Sequence, residues 1–164
     1  MAAEPMRMDL SKLAPDAYRH FLQLEGLIGH HVERKLLHLL KLRASQINGC
    51  AFCLAMHTDE ALRDGEPVER LTLLDAWEES TLYSDKERAA LAWIEEVTLI
   101  ADTGASRETF EALKTHFSEE EIAWLTLAGV QINAWNRMAI SSRAQYDRAM
   151  FAHAAPAAKA TEPA

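Results

Sequence analysis

Two capping boxes, Ser84 with Glu87 and Ser118 with Glu121, constrain this chain more than any other feature. In each, a serine oxygen and a glutamate carboxylate can reciprocally satisfy the free backbone donors of a first helical turn. The rest of the punctuation is helical too. Pro15 suits the opening of a helix running to about Gly29, and a second fits Glu33 to about Ile47, where Asn48-Gly49 breaks it. A third starts near Cys50 and runs to Arg63. Gly65 then supplies the left-handed residue that commonly ends a helix. Pro67 suits the first turn of a fourth, to about Trp77, and Ser106 caps a short one through Phe110 and Leu113. Period-two alternation, the mark of a half-buried strand, is absent. The expectation is an all-α domain of about six or seven helices joined by short loops.

With 164 residues the chain suits one domain and can bury a core without a disulfide or metal staple. Residues 1–10 lack core-type periodicity and are expected to be an N-terminal extension. The helical domain then takes residues 11–151. The tail at 152–164, AHAAPAAKATEPA, is low in complexity and expected to be disordered. No run of about 18 consecutive apolar residues is present, so no ordinary transmembrane helix is expected. The first twenty residues lack the apolar stretch of a secretory signal, which points to the cytoplasm. Seventeen Lys and Arg stand against 25 Asp and Glu, a net charge of −8. Nucleic acid and anionic membranes are therefore poor partners, since both demand a basic patch.

The chemistry concentrates in one segment. Cys50, Cys53 and His57 stand at i, i+3 and i+7, so on a helix they share one stripe. The turn at Asn48-Gly49 places Cys50 near a helix N-terminus, where partial positive charge favours a thiolate. His57, one turn beyond Cys53, can exchange a proton with it. A thiolate of this kind attacks a peroxide, becomes a sulfenic acid and condenses with a second thiol to a disulfide. Two other readings stay open on the residues alone. The cysteines can be small apolar packing groups, or redox sensors without catalysis. They can also join His57 and His38, on the preceding helix, in a Cys₂His₂ zinc set, although the ligand spacing is unusually compact.

The stretches LLKLRASQINGCAFCLAMHTDEAL, FSEEEIAWLTL and INAWNRMAI resemble the alkylhydroperoxidase D-like (AhpD-like) proteins of the carboxymuconolactone decarboxylase family, in its small single-domain branch. The resemblance covers roughly residues 15 to 145. It implies an all-α fold with a helical hairpin bearing the cysteine motif, homo-oligomeric assembly, and reduction of hydroperoxides through the cysteine pair. A dithiol partner, of lipoyl or thioredoxin type, would restore the thiols, and no bound cofactor is required. By the same resemblance Cys53 is the peroxidatic cysteine, Cys50 resolves it, and His57 relays protons. Two positions depart from the family. A glutamate twelve positions before the first cysteine is here His38, which can relay a proton but brings no fixed negative charge. The histidine sometimes found before the second cysteine is here Phe52.

The last long helix, from Ser118 to about Ser142, is apolar on nearly every side. Trp124, Leu127, Val130 and Trp135 cannot all share one small core with Ile122, Leu125 and Ile132, so a partner surface is expected, in a homotrimer or a homohexamer. Asn133 and Asn136 interrupt this apolar helix. They either bridge neighbouring helices or border the thiol pocket.

Overall fold

The computed structural model describes residues 4–147 and 149. Among them it contains nine α-helices, one 3₁₀ segment and no strand. The helices are α1 (Leu10–Leu13), α2 (Pro15–His31), α3 (Arg34–Asn48), α4 (Ala51–Arg63), α5 (Val68–Thr72), α6 (Asp85–Thr98), α7 (Ile100–Thr103), α8 (Arg107–Lys114) and α9 (Glu119–Ser142). Both capping boxes form. The Ser84 hydroxyl accepts from the Glu87 N–H while the Glu87 carboxylate accepts from the Ser84 N–H at 2.8 Å, and Ser118 and Glu121 repeat the arrangement.

The helix expected from Pro67 to Trp77 does not run through. It stops at Thr72, and a 3₁₀ segment, Leu73–Ala76, follows. The buried residues here are Leu71, Leu74 and Trp77, at steps of three. That period matches the three residues per turn of a 3₁₀ helix better than 3.6, so the tighter winding keeps all three inward. The short α1 and α7, four residues each, carry no buried residue and were not anticipated.

α3 forms the centre. It packs against α4, α6 and α9, and Leu36, Leu37, Leu39, Leu40, Leu42 and Ala44 are all buried along it. Each fully buried leucine is worth roughly 1.5–3 kcal/mol of transfer free energy, so this helix anchors the whole bundle. α9 lies against α2, α3 and α6. Its Gly129 marks a close approach to α6, since a Cβ there would meet Ile94 Cδ1 at 2.8 Å and Val97 Cγ1 at 3.0 Å.

Of the four α9 residues expected to be stranded outside the core, two find cover. Trp124 stacks on His31, and Trp135 packs edge-on against Tyr18 and Phe21. Leu127 and Val130 remain exposed. Residues 4–9, expected as a bare extension, run along the end of α9. The Arg7 N–H donates to the Ser142 carbonyl at 2.8 Å, and Glu4 bridges Arg7 and Arg143. The expected disordered tail at 152–164 lies outside the described residues. No described helix is long and apolar enough to cross a membrane.

Candidate active site

The hairpin between α3 and α4 builds the thiol site. Gly49 ends α3 in the left-handed conformation, φ +68°, and its N–H turns back to the Gln46 carbonyl. The next residue, Cys50, is extended and becomes the N-cap of α4. Its Sγ accepts the Cys53 N–H at 3.3 Å, so sulfur fills the capping role usually taken by a serine or aspartate oxygen. Cys50 and Cys53 are joined as a disulfide, with their Cα atoms 5.4 Å apart, inside the range such a bond spans. Both are almost completely buried. A cavity of about 690 Å³ reaches the site from the Cys50 side, walled by Phe52, Ile140, Arg143, Tyr146 and Glu4. Phe52 stands edge-on to Tyr146.

His57 follows Cys53 by one turn of α4 and is only 4% exposed. Its Nδ1 lies 2.8 Å from the carboxylate of Glu60, which is half-buried one turn further on. An ionised carboxylate only accepts, so Nδ1 donates to Glu60 and the ring's second nitrogen, Nε2, is the one left to exchange a proton. Burial works to raise the Glu60 carboxyl. The hydrogen bond from His57, and then the charges of His57, Lys41 and His38, outweigh it and hold the group below its usual range. Lys41 is itself buried and paired with Glu25.

His38 goes elsewhere. Its Nε2 lies 2.6 Å from Asp64, which also takes Arg34. Burial opposes ionisation of Asp64, and the hydrogen bonds from His38 and Arg34 overcome it, so that carboxyl is also held low. Cys50, Cys53 and His57 are thus gathered on one helix. His38, on α3, is not part of that group: its imidazole is engaged with Asp64 at the far end of α4. The four candidate zinc ligands are not gathered into one set among the described residues. The two sulfurs are bonded to one another, each imidazole has its own carboxylate, and no group of three potential ligands converges among the described residues.

Glu60 is the site residue that sequence reading missed. Its signal was available, because a residue three positions after a histidine on a helix shares its face. The two asparagines of α9 bridge helices. Asn133 Nδ2 donates to Thr98 on α6 and Asn136 Nδ2 to Ser45 on α3. Asn48 Nδ2 donates to both their oxygens. They thereby pin the hairpin turn, one residue before Gly49, to α9.

Residues 15–96 match the carboxymuconolactone decarboxylase family. An uncharacterised Bacillus subtilis protein, YdfG, is 37% identical over 136 residues, which span 82% of this chain and 92% of that one. The crystal structure of an Agrobacterium tumefaciens protein of unknown function, provisionally assigned to antioxidant defence as AhpD, superposes with a TM-score of 0.84. It is 43% identical and covers 87% of this chain and 99% of its own. The debrominase Bmp8 shares the fold, with a TM-score of 0.72 at 23% identity over 86% of this chain and 76% of Bmp8. The chain belongs to the carboxymuconolactone decarboxylase family and has the AhpD-like fold.

Proposed function

We propose that the protein is a cysteine-dependent peroxidase of the alkylhydroperoxidase type. The observation that carries this reading is the Cys50–Cys53 disulfide at the capped start of α4, with buried His57 one turn beyond. Starting from the dithiol, His57 Nε2 takes the Cys53 proton. The Cys53 thiolate attacks the terminal oxygen of a hydroperoxide, and the O–O bond breaks. Sulfur is oxidised to a sulfenic acid, and the departing alkoxide takes the proton back from His57 and leaves as an alcohol. The Cys50 thiol then attacks the Cys53 sulfur, water leaves, and the disulfide forms. A dithiol donor, of lipoyl or thioredoxin type, restores both thiols and ends as a disulfide itself. The cavity on the Cys50 side gives that donor its approach.

The division of labour between the sulfurs rests on two opposed arguments. Cap position favours a thiolate at Cys50. His57 offers Cys53 a proton path as well as charge, and family resemblance points the same way, so Cys53 is the nucleophile in this reading. The protein works as a homotrimer or homohexamer in the cytoplasm, where thiols are kept reduced.

Peroxide turnover with a panel of dithiol donors tests the reading, on wild type and Cys53→Ser. Turnover by wild type that falls to background in the variant is expected. No turnover with any hydroperoxide and donor would sink it. A sulfenic acid trapped on Cys50 in Cys53→Ser, formed at the wild-type rate, would reverse the assignment of the two cysteines.

A further inference from the structure

We infer that Glu60 is the positioning residue for His57, supplying from one turn further along α4 the negative charge that lies against its Nδ1. The inference rests on the thiol reading above and extends it to a residue which that reading does not use. Three observations carry it. The Glu60 carboxylate accepts from His57 Nδ1 at 2.8 Å, which selects the tautomer whose Nε2 can take the Cys53 proton. The His38 imidazole on α3 is engaged with Asp64 at 2.6 Å, so Glu60 is the carboxylate that His57 meets. His38 and Lys41 on α3 both act on Glu60 as basic groups, so a carboxylate on α4 faces basic side chains on α3.

The consequence is electrostatic. When His57 accepts the thiol proton it becomes a cation in a nearly closed site, and Glu60 lies against the opposite ring nitrogen to offset that charge. The thiolate–imidazolium pair is thereby favoured over the neutral pair. Half-exposed as it is, the carboxylate also links His57 to solvent. The charged groups bearing on it are His57 from its own helix and Lys41 and His38 from α3. On α9, which also packs against α4, Arg137 is engaged with Asn133 and Arg143 with Glu4.

The test follows alkylation of reduced protein by iodoacetamide as a function of pH, in a Cys50→Ser background so that only Cys53 reacts. Serine keeps the cap. Glu60→Gln preserves shape and removes charge. It is expected to move the rising limb of the alkylation profile to higher pH and slow the reaction at neutral pH about tenfold, the effect of one unit in a titration. Glu60→Asp, which keeps the charge, is expected to leave the limb within a few tenths of a unit of its parent. A limb unmoved by Glu60→Gln, whatever happens to the rate, would overturn the inference. So would a Glu60→Asp profile that follows Glu60→Gln. Because alkylation consumes no peroxide, the result is separate from the function proposed above. A shifted limb in a protein that turns over no hydroperoxide would refute peroxidase activity and leave the role of Glu60 standing.

Discussion

Cys50 combines two tasks in one side chain, capping α4 and closing the disulfide. The reduced protein separates them by substitution. Cys50→Ser retains a capping oxygen and is expected to unfold within about 0.5 kcal/mol of the reduced wild type. Cys50→Ala leaves the Cys53 N–H without its partner and is expected to lose about 1 kcal/mol. Urea unfolding under reducing conditions checks the contrast, and equal losses would show that the sulfur contributes no cap. At this scale the sequence was informative where spacing along one helix decides contact. Cys50, Cys53 and His57 fall on one stripe as their numbering implies. The partners of His38 and Asn136 were out of reach, because Asp64 lies 26 residues from the first and Ser45 lies 91 from the second. Only the packing of α3 on α4 and α9 brings them together. Glu60, three positions after His57 on the same helix, is legible by the same rule.

Among the elements, one carboxylate on α6 supplies the polar part of its link to α8, beside the Trp93–Phe110 ring contact. Glu96 accepts from the Ser106 N–H at 3.0 Å, the Ser106 hydroxyl at 2.7 Å and the Thr109 hydroxyl at 3.0 Å. The hydrogen bond from the Ser106 backbone leads in drawing its carboxyl from the ordinary 4.5 down to about 2. A folded-state value below the unfolded one means stability that is fully present above pH 4.5 and lost as pH falls through about 2. Glu96→Gln is therefore expected to remove this part of the acid sensitivity and to lower stability at neutral pH by about 1 kcal/mol, a figure held down by solvent screening. Urea unfolding of both proteins at pH 7 and pH 3 measures it, and parallel losses in the two would contradict the assignment. The long helices and their caps were legible because capping chemistry is local: Ser84, Ser106 and Ser118 each start a helix. The segment after Pro67 departs from the single helix expected there, because the choice between 3.0 and 3.6 residues per turn is settled by which side chains the core accepts. Leu71, Leu74 and Trp77 reveal that choice only once α3 and α6 are in place.

For the whole molecule, the open question is what covers the side chains left outside. α2 and α9 pack together yet leave Leu22, Leu27, Leu127 and Val130 exposed, the last at 53%. Apolar surface of this kind commonly marks a partner face. Light scattering on dilute protein is expected to give the mass of a trimer or hexamer, and a stable, fully active monomer would contradict the proposal. Leu22→Asp with Val130→Asp is expected to lower the mass without unfolding the chain, since neither residue belongs to the core. The apolar excess of α9 was legible as excess, but its division between intramolecular cover and open surface was not. Trp124 and Trp135 are covered by His31, Tyr18 and Phe21, residues more than ninety positions away. The sulfur cap on α4 also bears on descent. A lineage that abandons thiol chemistry can replace the first cysteine by serine and keep its helix start, whereas alanine weakens the hairpin at once. Among relatives that have lost the activity, serine is the residue expected to survive selection at position 50, and its presence there would record a former redox site in a protein that still folds.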